Sequence, residues 1–294
     1  MSRRPVSRRP ALLLFVVAAA CSPPAIDPAA TRPDSPPKRI IAASIFATEV
    51  LLDIAPRERI AAVHFLAAEP RYSLVADRVR GLALVGADPE QLIAGAPDLV
   101  VVDAYTRPET VALLHWAGVP VLQPAEPRDF AGIAANIRAL GRACHLEAEA
   151  EVLVARMDER LAALADRAAD AGEWHVCSLD GDLHTYGRGS LADAMLRAAG
   201  AKNLAAERGA GPYRRLTVET ILAWRPDGLL VAGERRPDGG PPAWLGQVPG
   251  LDLLDCSRRD RFLFVPGAML VTTSHRLVDT AELVQDQLRR WGRS

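Results

Sequence analysis

Glu90-Gln91-Leu92-Ile93-Ala94-Gly95-Ala96-Pro97-Asp98-Leu99-Val100-Val101 and Glu219-Thr220-Ile221-Leu222-Ala223-Trp224-Arg225-Pro226-Asp227-Gly228-Leu229-Leu230 are two versions of one phrase. In each, a glutamate opens a short helical stretch, a Pro-Asp pair ends it, and an apolar strand follows. Each glutamate stands seven residues before its proline. Solenoid repeats recur every 20–50 residues, roughly, so a phrase spaced this widely is not one of them. It implies two similar α/β lobes in one chain, each presenting one acid. A matched pair of acids implies a partner that reads both lobes at once.

Working outward, strands are expected over residues 39–44, 59–63, 98–102 and 119–122. Helices are expected over 48–54 and over 108–117, the latter closed by Gly118. Continuous apolar strands alternating with helices indicate a parallel sheet covered on both faces. This first lobe spans residues 38–143. Ala148, Val152, Ala155, Leu161, Leu164 and Ala168 then recur near the helical period, which predicts one helix over 146–171. Gly172 ends it, and residues 144–172 form a connecting rod. The second lobe, residues 173–294, holds strands over 174–179 and 261–266, a helix capped by Ser190 that runs to 199, the repeated phrase, and a closing helix over 274–291. The fold class is α/β: two similar Rossmann-like lobes joined by one long backbone helix, with a ligand cleft between them.

The chain has 294 residues, 49% hydrophobic, with a formal net charge of −1, so nothing in its charge calls for nucleic acid. Lys38 and Lys202 are the only lysines, and the arginine excess reads as compositional bias. Residues 1–21 read as a secretory signal: a basic start with Arg3, Arg4, Arg8 and Arg9, then an apolar stretch too short to span a bilayer. Ala18-Ala19-Ala20-Cys21 resembles a lipobox, which makes Cys21 the expected lipidation site. Residues 22–37 carry six prolines and read as an extended tether. Three cysteines remain, with no CxxC pair, and Cys177 falls in an apolar run as a buried small hydrophobe.

Several phrases resemble the substrate-binding proteins of ABC importers in the helical-backbone class that handles iron–siderophore complexes, haem and cobalamin. They are Ser44 with Thr48-Glu49, Gly86-Ala87-Asp88-Pro89-Glu90, Thr185-Tyr186-Gly187-Arg188-Gly189-Ser190, and Ala199-Gly200-Ala201-Lys202-Asn203-Leu204-Ala205. The resemblance covers residue 38 to the C-terminus. It implies a monomeric periplasmic or cell-surface protein, held to a membrane through a lipid anchor only, that carries a small-molecule metal chelate to a permease dimer. It implies no cofactor of the protein's own; the ligand carries the iron or cobalt. By the same resemblance, Glu90 and Glu219 dock on permease arginines.

Loops at strand ends supply the candidate ligand contacts. Phe46 and His64 lie at the ends of the first two strands, and Asp103 and Tyr105 follow a later one. Tyr186, Arg188, Tyr213, Arg214 and Arg215 sit in second-lobe loops, and Met269, Thr272 and His275 precede or open the last helix. Aromatic rings stack on bulky or planar ligands, and arginines pair with anionic oxygens. Tyr213 stands just before the repeated helix, at the lobe interface, and is the strongest single candidate. Haem would need an axial Tyr or His, for which Tyr72, Tyr105, Tyr186 and His275 are available. No catalytic elbow, HExxH or P-loop occurs, so no enzyme and no metal site of the protein's own is expected. The alternatives are a lipid-anchored adaptor of the same fold without a transport ligand, and a zinc- or manganese-binding relative.

Overall fold

A computed structural model of the chain describes residues 33–168, 172–236 and 240–292. Residues 1–32, which hold the expected signal segment, Cys21 and most of the expected tether, lie outside the described residues. The first half alternates β1 (Ile40–Ala42), α1 (Ile45–Ile54), β2 (Ile60–His64), β3 (Ala83–Val85), α2 (Pro89–Ala94), β4 (Leu99–Val101), α3 (Pro108–Trp116), β5 (Val121–Leu122) and α4 (Phe130–Cys144). Its strands form one parallel sheet in the order β3-β2-β1-β4-β5. The helix α5 (Glu147–Ala168) leads to the second half. There follow β6 (His175–Ser178), β7 (His184–Thr185), α6 (Leu191–Ala198), β8 (Lys202–Asn203), α7 (Leu204–Glu207), β9 (Arg214–Arg215), α8 (Val218–Trp224), β10 (Gly228–Ala232), α9 (Asp255–Arg258), β11 (Phe262–Val265), α10 (Gly267–Val271) and α11 (Leu277–Trp291). A second parallel sheet has the order β11-β10-β6-β8, and β7 pairs antiparallel with β9.

The repeated phrase builds the same unit in both sheets. Its helix is α2 in one copy and α8 in the other, and its strand is β4 or β10. Each strand lies beside the first strand of its own sheet, β1 or β6. The Pro-Asp aspartates explain the match. Asp98 Oδ2 accepts the backbone N–H groups of Lys38 and Arg39 at 2.7 and 2.9 Å, ahead of β1. Asp227 Oδ2 accepts the N–H of His175, the first residue of β6, at 2.9 Å. Each carboxylate satisfies strand-start donors that have no ladder partner.

Side-chain alternation sorts the strand residues between two faces. Ile41 and Val100 pack outward with Leu92 of α2 and Leu114 of α3. Cys177, Leu229 and Val231 pack outward with Ile221 of α8. The opposite faces of both sheets share a single core: Ile40, Leu99 and Val101 belong to the same cluster as Val176, Leu230 and Leu263, through Leu153, Met157 and Leu164 of α5 and Val284 and Leu288 of α11. The two halves therefore meet through a helical layer rather than through a lone rod. Gln285 Nε2, wholly buried, donates to the Leu164 carbonyl, and Arg160 of α5 bridges Asp279 and Glu282 of α11, each at 2.6 Å.

The connecting helix buries a different face over its first half from the one expected. It runs 22 residues, roughly 33 Å at 1.5 Å per residue. Residues 169–171 are outside the described set. Its buried side holds Ala150, Leu153, Val154, Met157 and Leu164, whereas Ala148, Val152 and Ala155 are exposed. The side that carries Leu153, Val154, Met157 and Leu164 offers more apolar surface than the side that carries Ala148, Val152 and Ala155, and burial of the larger surface is favoured. His145 does not start this helix. It caps the C-terminus of α4 in the left-handed region, at φ 55°. Beyond the expected elements, the structure adds β3, the amphipathic α4, the short helices α7, α9 and α10, and the two-residue strands β7, β8 and β9. Strands that short leave no period to read. Cys144, Cys177 and Cys256 are free and buried. Burial pushes the Cys177 thiol up to about 11, as befits an inert hydrophobe. Among the described residues no helix is long and apolar enough to cross a membrane.

Candidate ligand-binding site

In both parallel sheets the carboxyl ends of the strands point toward one cavity of about 510 Å³. This is where ligands settle in open α/β sheets. The first half contributes Tyr105, Glu126 and Pro127, from the loops after β4 and β5. The second contributes Ser178, Leu179 and Asp180 at the end of β6, Tyr186 after β7, and Tyr213 ahead of β9. Leu270, Val271 and Thr273 close it from α10 and the loop that follows.

Local structure holds the three tyrosines in place. The Asp103 carboxylate accepts the Tyr105 N–H at 2.9 Å and turns the loop after β4. The Tyr105 hydroxyl donates to Glu126 Oε1 at 2.8 Å. Partial desolvation and that carboxylate push the Tyr105 phenol up to about 12. The Tyr186 carbonyl accepts from Asn203 Nδ2, and the Tyr186 N–H donates to Ser178 Oγ. The following Gly187 lies so close to the Ala210 and Gly211 carbonyls that a Cβ would collide with both. Partial burial, then Asp180, raises the Tyr186 phenol. Tyr213 stacks on His184 with centroids 4.7 Å apart and meets Tyr186 at 5.5 Å. His184 is engaged from beneath by Asp180 at 3.4 Å.

The other expected contacts fall elsewhere. Phe46 is in the first turn of α1 and belongs to the shared core. It touches, with Asp103, only a narrow recess beside the cavity. The His64 ring caps the next turn by accepting the Leu66 N–H at 3.3 Å and packs on Phe65, and burial lowers its pKa against a small opposing effect of Asp103. Arg188, Arg214 and Arg215 are exposed and do not line the cavity; Arg215 Nε bonds the Asp182 carbonyl. Met269 packs against the shared core. Thr272 is buried, its hydroxyl donating to Glu49 at 2.7 Å, and the next residue, Thr273, lines the cavity instead. His275 is buried against Asp53 at 2.9 Å. Partial burial would raise the Asp53 carboxyl, but hydrogen bonds from His275 and Arg78 and the charge of Arg276 outweigh it and hold Asp53 well below its usual value. Tyr72 lies outside the cavity, under the Arg71 guanidinium. Ser178, Asp180, Glu126 and Asn203 were not anticipated; the first three stand at strand ends, which is the signal that could have found them.

Glu90 and Glu219 are both exposed and both occupy the second residue of their helices. Each helix runs back antiparallel to the strand it feeds, so both first turns lie at the carboxyl ends of the sheets, the pole of the cavity. The Glu219 carboxyl is held below its usual range by its own backbone N–H and the Thr217 hydroxyl. The opposite pole receives residues 33–37: Arg59 Nε bonds the Pro37 carbonyl and the His145 ring bonds the Pro33 carbonyl. Among the described residues no group of three or more His, Cys, Asp and Glu is placed to hold a metal ion.

Comparison with known proteins places these features in context. The family model described as periplasmic binding protein matches residues 40–241. A cobalamin-binding protein of Halobacterium salinarum is 27% identical over 225 residues, covering 73% of this chain and 60% of the relative. The chain thus spans less than two thirds of that relative's length. The structure of the apo periplasmic heme-binding protein RhuT of Roseiflexus sp. RS-1 superposes with a TM-score of 0.72 at 26% identity, covering 85% of this chain and 99% of that one. The periplasmic heme-binding protein HutB of Vibrio cholerae shares the fold, with a TM-score of 0.74 at 22% identity, covering 85% and 98%.

Proposed function

This chain belongs to the periplasmic binding protein family, and from that premise we propose that it captures a metal chelate, a ferric siderophore, haem or cobalamin, and delivers it to an ABC import permease. The observation that carries the reading is the tyrosine-walled cavity at the carboxyl ends of both parallel sheets. A cavity of this size and mainly apolar lining fits a bulky ligand gripped by a few placed polar groups. The proposed contacts are Tyr105, Tyr186 and Tyr213, with Glu126, Asp180, Ser178 and Thr273 as polar partners.

Delivery is assigned to Glu90 and Glu219, whose shared pole and matched register support simultaneous contact with two permease subunits. Single exposed ion pairs are worth about 0–1 kcal/mol, so the two acids set orientation more than affinity. Lipidation of Cys21 would tether the protein to a membrane by the opposite pole, which leaves the cavity and both glutamates free to face a permease. The adaptor reading predicts the same fold with no ligand. Titration of the full chain with cobalamin, haemin and ferric siderophores, followed by protein fluorescence and ligand absorbance, decides between them. Saturable binding of one class supports capture; binding of none supports the adaptor.

A further inference from the structure

Resting on the chelate-capture reading, we infer that the cavity selects a neutral or cationic chelate rich in amide groups and rejects chelates that carry ionised carboxylates or catecholates. The observation is the charge of the wall. Among the described residues its ionisable lining is Glu126, Asp180 and the three phenols, with no arginine, lysine or histidine. Among the described residues the cations that neighbour the lining in sequence stay off the wall, and Arg128, beside Pro127, is exposed. His184 lies beneath the Tyr213 ring against Asp180, Arg215 bonds the Asp182 carbonyl, and Arg188 and Arg214 face solvent.

An anionic chelate entering this cavity would meet two carboxylates and no counter-ion. Like charges brought together in a partly desolvated site are a strong element of rejection. Amide groups suit the same wall. A carboxylate is an acceptor only, so Glu126 Oε2 and Asp180 Oδ2, whose sister oxygens already hold Tyr105 and the Asp182 and His184 N–H groups, can take amide N–H donors, while Ser178, Thr273, Tyr186 and Tyr213 can donate to amide carbonyls. The tyrosines offer faces for stacking and hydroxyls for hydrogen bonding, not charge. Tyr105 is tied to Glu126 as a phenol, which makes it a poor source of the phenolate that would ligate a ferric ion. A chelate whose metal keeps a full coordination sphere of its own suits this wall best, because Tyr105 is already committed to Glu126.

The test is an equilibrium titration of the full chain with two panels at one ionic strength: cobinamide, cobalamin and ferrioxamine B as amide-bearing chelates, and haemin, ferric dicitrate and ferric enterobactin as anionic ones. Saturable binding of an amide-bearing chelate, at least about tenfold tighter than any anionic one, supports the inference. The Glu126→Gln variant should then narrow that gap by raising affinity for the anionic panel. An anionic chelate that binds as tightly as the amide-bearing ones overturns the charge selection while leaving chelate capture standing. Failure of both panels overturns the capture reading and this inference with it.

Discussion

Glu49 and Thr272, 223 residues apart in the chain, share a buried hydrogen bond of 2.7 Å between the Glu49 carboxylate and the Thr272 hydroxyl. The Ser274 hydroxyl donates to the same oxygen at 2.6 Å. One turn further along α1, Asp53 receives His275 and Arg276. A single face of α1 thus anchors residues 272–276, and that anchoring sets Val271 and Thr273 against the cavity.

Glu49→Ala leaves two buried hydroxyls without their acceptor and opens space in a wholly buried position. Thermal or urea unfolding should show a loss of about 2–4 kcal/mol. Thr272→Val, which keeps the shape but removes one donor, should cost less. Stability equal to wild type in Glu49→Ala would show that the anchor carries no energy.

Asp53 makes stability depend on acid. Its folded pKa lies below the unfolded value, near 3.8, so its contribution is present in full above that value and is lost as pH falls through it toward the lower folded value. Asp53→Asn should be less stable than wild type at neutral pH, and the two unfolding curves should converge as pH drops below about 4. Parallel curves across that range would contradict the assignment.

Tyr213→Ala removes a stacked face from the cavity, whereas Tyr213→Phe retains it. Alanine should weaken chelate binding by about tenfold and phenylalanine by much less, since aromatic contacts are worth on the order of 0.5–1.5 kcal/mol beyond their area. Equal losses in the two would assign the role to the hydroxyl instead of the ring.

Glu90→Ala combined with Glu219→Ala should leave ligand affinity unchanged and abolish uptake into cells or permease-containing vesicles. Each single variant should fall between, because each removes one of two orienting contacts. Wild-type uptake by the double variant would remove the docking role.

Asn203 holds the Tyr186 carbonyl, bonds Asp193 and caps α7 through two backbone N–H groups. Asn203→Ala should destabilise the fold by about 1–3 kcal/mol and loosen ligand binding through Tyr186. A variant with full stability and full affinity would leave Asn203 without that positioning role.

The repeated phrase was enough to read two parallel sheets, because helix caps, Pro-Asp stops and apolar strands act over a few residues. Asp98 and Asp227 perform the same local task in both copies wherever the rest of the chain goes. The same short range explains what was misread. On α5 a stripe through Ala148, Val152 and Ala155 and one through Leu153, Val154 and Met157 both fit a helical period and both lead to Leu164, which is buried, and only packing against α4 and α11 chose between their first halves. In the loop after α10, Thr272 and Thr273 are chemically identical neighbours, yet one is locked onto Glu49 and the other faces the cavity. Nothing within several residues of either distinguishes them.

What the sequence by itself determined is therefore the α/β class, the parallel strands, the matched glutamates and the resemblance that led to the family. These follow from local periodicity and from spacing that survives without coordinates. Only the tertiary structure decided that both sheets share one helical core, that His275 and Thr272 serve α1 and not a ligand, and that three tyrosines meet two carboxylates with no cation among them. Those outcomes depend on contacts between segments distant in the chain, more than two hundred residues for Thr272 and His275, where a hydrogen bond of under 3 Å settles which way a side chain points.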